Sequence, residues 1–298
     1  MFSPTSSWGV RARQLLSPLQ SLIDALRLWL AADGLRMSAA MSFYGILSLA
    51  PLLLLIVGLL GWWVDRSYVE HTLIEQIQSV IGERGAQVVS GALESAQRPA
   101  EGRLASIFGL IMLMSGATGV FVELQSSLEK LWISDGTPTP PKAAWWRLAV
   151  LRLRGLSYVL VLGFLFMVSM LMSTALQLLT HWAGALLQME PFLPLVRLIN
   201  EAASFAIVSL LFVGLMRVGT GPKPALRHLI WGGAFGALLF SLGRQAMAWY
   251  LSTAAVVSAY GAAGSLVVLL MWIYFSSAIL LLAAAMAKAL SNRAQCKR

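Results

Sequence analysis

A single cysteine, Cys296, occurs in 298 residues, which excludes an internal disulfide and any cysteine-built metal site. Histidine is nearly as scarce. His71, His181 and His228 fall on three separate stretches and cannot converge on one ion. No H-x-E, H-E-x-x-H or C-x-x-C spacing occurs, no glycine-rich phosphate loop, and no pairing of a nucleophile with a base. Neither a metal nor a cofactor is therefore expected, and the chain does not read as an enzyme. Acidic residues run out early: there are 13, and none lies between Ala202 and Arg298. A proton- or sodium-coupled device built on carboxylates in that third of the chain is excluded. Charge of any kind is sparse, at 12% of residues against roughly 25% in soluble proteins.

In place of charge there is apolar length. Hydrophobic residues make up 58% and mean hydropathy is +0.75. No Asp, Glu, Lys or Arg occurs between Arg244 and Lys288. A helix rises about 1.5 Å per residue, so roughly 20 apolar residues cross a hydrocarbon core of about 30 Å. The run from Tyr260 to Leu290 exceeds that, and it reads as the last transmembrane span.

The same reasoning applied along the chain predicts an all-α integral membrane protein. Six spans are expected, over about 37–64, 104–122, 155–180, 195–218, 229–251 and 262–287, within a membrane domain of residues 37–290. Residues 1–36 form a cytoplasmic amphipathic segment in which Leu15, Leu19, Leu22, Leu26 and Leu30 recur at helical spacing. That stripe suits either the inner membrane surface or packing on the membrane domain itself. Residues 65–103 suggest two amphipathic helices on the outer face, with Val69, Leu73, Ile77 and Val80 on one and Val88, Val89 and Leu93 on the other. Residues 291–298 make a basic cytoplasmic tail.

Positive charge sets the orientation. Of the 22 Lys and Arg, 16 fall on one side of this arrangement: in the N-terminal segment, in the loops after spans two and four, and in the tail. Basic loops stay inside, so both termini are placed in the cytoplasm of a bacterium. The formal net charge of +9 then reflects topology, and no nucleic-acid partner is implied. Membrane lipids are the expected partners, with a homo-oligomer or an envelope protein left open.

Several residues stand out as candidates for function. Ser38, Ser42, Gly45 and Ser48 share one face of span one, as close packing or as the wall of a polar conduit. Pro51, near the middle of that span, removes a backbone hydrogen bond and should kink or break it. Gly109, Gly116 and Glu123 lie seven apart in span two. Gly232 and Gly236 form a G-x-x-x-G in span five, a weak signal on its own. Tyr260 opens a tight turn before span six, where Trp272 and Ser276 share a face and line either a cavity or a packing surface. The sharpest pair is Glu201 and Arg244. Counting from Arg217 and Arg227 puts them about 24 Å and 26 Å above the inner surface, at similar depth inside the outer leaflet. They are expected to face each other or a common cavity, with Asn200 beside them; an interfacial Glu and a snorkelling Arg are the alternative.

Three blocks then carry a resemblance. MSAAMSFYGILSLAPLLLL (Met37 to Leu55), SGATGVFVELQSSLEKLW (Ser115 to Trp132) and AWYLSTAAVVSAYGAAGSLVVLLMWIYFSSAILLL (Ala248 to Leu282) are similar, in order, to the signature blocks of the YihY/virulence factor BrkB family. The resemblance implies a six-span bacterial inner-membrane protein with roles in export or lipid-related transport and envelope integrity. The family's former label as a ribonuclease finds no metal-ligand cluster here. The chain departs from the family at Ala285 and Glu129, where Glu and Asn respectively are common, so a function resting on that late Glu does not carry over. A transporter or flippase-like exporter of an amphipathic substrate is the leading expectation, and a non-transporting envelope scaffold the alternative.

Overall fold

The computed structural model describes residues 17–60, 65–81, 83–97, 119–133, 193–218, 223–253 and 264–296. Eight helical stretches fill them: α1 (Ser17–Ala31), α2 (Gly34–Leu60), α3 (Arg66–Ile81), α4 (Glu83–Gln97), α5 (119–132), α6 (Leu193–Val218), α7 (Leu226–Thr253) and α8 (Gly264–Cys296). Two segments among the described residues are long and apolar enough to cross a membrane, Leu226–Met247 and Leu266–Gln295. This is a helical membrane protein.

Its centre is the C-terminal half of α8. Leu281, Ala283, Ala284, Ala285 and Ala287 are completely buried there. Small side chains explain the position, because an alanine-rich rod lets neighbours approach its backbone on every side. α7 does so through glycine. A Cβ added at Gly232 would stand 2.7 Å from the Ala283 carbonyl oxygen, and one at Gly236 would stand 2.8 Å from Ala283 Cβ. The G-x-x-x-G therefore meets Ala283 and Ala287, a second pair four residues apart. One residue along, Gly233 leaves room for Ser209 and Val213 of α6.

α2 lies on the other side of α8. Ser38, Ser42 and Ser48 are buried, and Ser42 Oγ donates to the Leu270 carbonyl at 2.8 Å across the helix pair. Ser38 and Ser48 donate within their own helix, to the carbonyls of Gly34 and Gly45. Gly45 itself seats Ile273. The serine stripe is thus a packing face, and the conduit-wall reading of it is corrected. Helix α2 also runs unbroken through Pro51, contrary to the expected break. One missing backbone bond in a helix of 27 residues leaves the remaining bonds of the run intact.

α1 packs on α8 through its small residues and turns its leucine stripe outward, as the membrane-surface alternative for that stripe requires. Ser21 and Ala25 are buried and Leu28 is partly buried, while Leu19, Ile23, Leu26 and Leu30 stay exposed. The alanine-rich flank of α8 accepts small residues, so the leucine stripe is left outward. Arg293 fastens the pair, donating to Asp24 Oδ2 at 2.6 Å and to Ser21 Oγ at 3.1 Å. α8 accordingly stays helical to Cys296, well past the expected end of span six.

α3 and α4 are the two helices expected between residues 65 and 103. Val69, Leu73, Val89 and Leu93 bury one another with Val57 of α2 in a separate small core. Asp65 caps α3, its Oδ1 accepting the backbone N–H of Ser67 at 2.9 Å, the Tyr68 N–H and the Ser67 hydroxyl. The Ser67 hydroxyl hydrogen bond first, then the two backbone ones, hold its carboxyl below the usual value.

Candidate functional site

Helices α6 and α7 are antiparallel neighbours, and their register follows from their contacts. Phe212 meets Gly236, and the Phe212 and Phe240 rings pack edge to face with centroids 6.2 Å apart. Phe240 in turn meets Trp272 of α8 edge to face at 6.0 Å. Three aromatic rings thus form a layer across three helices. Trp272 is a packing residue of that layer, and Ser276 Oγ is occupied by a hydrogen bond to the Trp272 carbonyl at 2.8 Å.

Both sequence-predicted charges leave their helices on the same side as these rings. Glu201, Phe205, Val208 and Phe212 follow one another at helical steps of four, three and four, forming one stripe of α6. Gly233, Ala237, Phe240 and Arg244 repeat the same steps on α7. The two stripes face each other where Phe212 meets Phe240. From the Phe212–Gly236 contact, eleven residues back along α6 reach Glu201, and eleven forward along α7 reach Met247. Arg244 is three residues short of Met247, about 4.5 Å along the axis.

Facing stripes and matched depth would ordinarily produce an ion pair. None forms: no hydrogen bond or ion pair links Glu201 to Arg244, and both side chains are exposed. Glu201 and Arg244, expected to face each other or a common cavity, stand on facing stripes as two separate exposed charges. From Glu201 to Leu211 no residue of α6 is buried, whereas Phe212, Val213 and Met216 are. Phe205, on the Glu201 stripe, is 41% exposed. The candidate site is thus a carboxylate on α6 and a guanidinium on α7, both beyond the aromatic layer. Asn200 precedes Glu201 on α6.

Other predicted residues lie elsewhere. Glu123 is half-buried on α5, a different helix from those of Glu201 and Arg244. Gly116 and Tyr260 lie outside the described residues. Among the described residues, no group of three His, Cys, Asp or Glu could hold a metal ion. The stripe spacing of Phe205, Phe212 and Phe240 was a signal in the sequence that a search for charges alone passes over.

The opposite end is closed by a set of polar clasps. Asp33 takes up the left-handed backbone conformation, with φ 62°, at the corner between α1 and α2. Its Oδ2 accepts from Arg36 and from Lys130 of α5, each at 2.9 Å. The hydrogen bond from Lys130, then the charges of Lys130 and Arg36, hold the Asp33 carboxyl below its usual value. Lys288 Nζ donates to the Trp132 carbonyl at 2.6 Å, tying α8 to the end of α5. With Asp24–Arg293, these contacts join four helices at one end of the molecule.

A bundle of apolar helices, two of them long and apolar enough to cross a bilayer, defines a helical membrane protein. A family model described as Virulence factor BrkB matches residues 25–298, and the chain belongs to that family. It is similar to the UPF0761 membrane protein of Methylibium petroleiphilum, 24% identical over 294 residues, covering 95% of this chain and 66% of that one. A UPF0761 membrane protein of Haemophilus influenzae is 22% identical over 263 residues, covering 86% of this chain and 90% of its own length. One from Chromobacterium violaceum is 23% identical over 262 residues, covering 86% and 58% respectively. The chain thus spans just under two thirds of the first of these relatives and over half of the third. No solved structure matches it.

Proposed function

We propose that this chain is a non-enzymatic six-span protein of the bacterial cytoplasmic membrane, with both termini inside. In this reading it moves an amphipathic, lipid-related substrate in support of envelope integrity, as a transporter or flippase-like exporter. One observation carries the reading: Glu201 and Arg244 sit on facing stripes of neighbouring apolar helices and pair with nothing among the described residues. A charge left facing lipid costs at least about 2.5 kcal/mol near a bilayer centre. A substrate with complementary charge relieves that cost.

The test is lipid flux in liposomes reconstituted with the wild type, Glu201→Gln and Arg244→Gln. Flux above protein-free liposomes that drops in both variants is the expected result. Equal flux in all three removes the charges from the mechanism, and flux no greater than in empty liposomes removes transport. A second reading, a membrane scaffold, draws on the solid packing of the Ser38–Ser48 face against α8 and on the outward leucine stripe of α1. It gains if flux is absent while the protein still associates with an envelope partner through α1.

A further inference from the structure

We infer that one face of α7, the line Trp231, Leu238, Leu242 and Trp249, is a contact with bilayer lipid whose two tryptophans mark the borders of the hydrocarbon. The inference does not depend on the transport reading, and it sets the depth of Arg244, which that reading uses.

The two tryptophans are 69% and 70% exposed, more than any other large apolar side chain among the described residues. They stand eighteen residues apart on one unbroken helix. At about 3.6 residues per turn that is five turns, so they leave α7 on one line, about 27 Å apart. A hydrocarbon core is about 30 Å thick, and tryptophan collects at its two borders, where its ring meets lipid and its N–H meets water. Leu238 and Leu242, 50% and 56% exposed, fall between them on the same line. One turn before Trp231 the exposed Arg227 extends it, a cation where lipid phosphates lie. Between the tryptophans the line carries no charge, and Gln245 flanks it one turn from the Trp249 border.

The rest of α7 faces protein. Gly232, Gly236 and Gly243 seat Ala283, Ala287 and Phe275 of α8, and Gly233 seats Ser209 and Val213 of α6. Arg244 leaves on the α6 flank, five residues or about 7.5 Å inside the Trp249 border. A second copy of the chain fits the tryptophan line poorly. Helices in a membrane close on one another through small residues, as α7 does with α8, and this line has only bulky ones.

The neighbouring helix falls on the same scale. Gly232, beside Trp231, meets Ala283 and Ala287, and the next residue is Lys288, the first charge of α8. Arg293 then holds Asp24 about 7.5 Å further out, where an ion pair meets headgroups and water. Phe240 lies nine residues from each tryptophan, so the Phe212–Phe240–Trp272 layer marks the bilayer midplane.

The experiment places a nitroxide on single cysteines at Arg227, Trp231, Leu238, Leu242 and Trp249, in the full-length protein with Cys296→Ser, reconstituted in phosphatidylcholine bilayers. Collisions with oxygen, which concentrates in hydrocarbon, against those with a water-soluble nickel chelate give the depth of each label. Leu238 and Leu242 are each seven residues from the nearer tryptophan, so both labels should read the same depth, about 10 Å inside a border. Labels at Trp231 and Trp249 should read the border itself, and the Arg227 label should lie outside it. The Leu238 and Leu242 variants keep both tryptophans and carry the result if a tryptophan variant does not reconstitute. Depths that differ between them by about 6 Å, their separation along the helix, move the borders off the tryptophans and overturn the inference. Nickel access along the whole line overturns it by placing the face in water. Low collision with both reagents, with spin–spin broadening between labels, overturns it in favour of a second copy.

Discussion

Replacing Gly232 by alanine tests the packing on which the whole arrangement depends. The added Cβ would stand 2.7 Å from the Ala283 carbonyl oxygen and 2.9 Å from Ala287 Cβ. Ordinary contact begins near 3.5 Å, so α7 and α8 must separate by somewhat under about 1 Å. The obstacle on one side is a backbone oxygen in the most buried part of the molecule, which no rotamer change can move. Overpacking of this kind costs about 1–3 kcal/mol, against which alanine recovers about 1 kcal/mol of helix propensity. The net expectation is a loss of up to about 2 kcal/mol. Two glycines serve as controls, Gly91 of α4 and Gly214 of α6, where an added Cβ meets nothing within 4 Å. Alanine there should stabilise by about 0.5–1 kcal/mol. Unfolding of the purified protein in mixed micelles, followed by circular dichroism against SDS fraction, gives all three midpoints. Ala287→Gly in the Gly232→Ala background should recover only part of the loss, because the carbonyl oxygen remains. A Gly232→Ala midpoint shifted in the same direction as that of Gly91→Ala would refute the close approach of α7 to α8.

Ser42→Ala removes the hydrogen bond to the Leu270 carbonyl and should cost about 0.6–1.7 kcal/mol in the same assay, whereas Ser38→Ala, which loses only an intrahelical bond, should cost less. Asp33 has a folded-state pKa below its unfolded value of 3.8, so its contribution is complete above that value and is lost as pH falls through the folded pKa. Thermal midpoints of the wild type should therefore fall more steeply than those of Asp33→Asn below about pH 4; because Asp33 is exposed, the difference is small, and parallel curves would remove the Lys130 clasp from the account. Cys296 is the only thiol, so a membrane-impermeant maleimide should label it in permeabilised cells and not in intact ones. Labelling from outside would invert the proposed topology.

Hydropathy made the long helices legible because each contains a run of fifteen or more positions without a charge. α6, α7 and α8 fall where the fourth, fifth and sixth apolar stretches predict helix. The small-residue stripes were visible too, but their meaning was not. Gly232 and Gly236 acquire one only when Ala283 and Ala287 are found opposite, some 50 residues along the chain. The α1 stripe left two readings open for a related reason. Hydrophobicity predicts which face avoids water, and in a membrane protein that face need not be the one that packs. α8 presents alanines and so selects Ser21 and Ala25, leaving the leucines outside. At Glu201 and Arg244, the helical step gave the stripe each charge shares with Phe212 or Phe240. Whether two such charges meet depends on the contact between their helices, which no local pattern records.

Packing is concentrated at one end of the described helices. On one side of the Phe212–Phe240–Trp272 layer, glycine–alanine contacts and the clasps of Asp24, Asp33 and Lys288 hold α1, α2, α5, α7 and α8 together. On the other, α6 carries no buried residue over eleven positions, from Glu201 to Leu211. Few buried contacts leave a segment at the low end of local stability, so the Glu201 end of α6 should move more than the clasped end. Spin labels at Phe205 and Leu242 should therefore report a broader distance distribution than labels at Gln20 and Gln295, across the α1–α8 clasp. Equal widths at both pairs, or a broader one at the clasp, would show that the aromatic layer does not divide the molecule in this way.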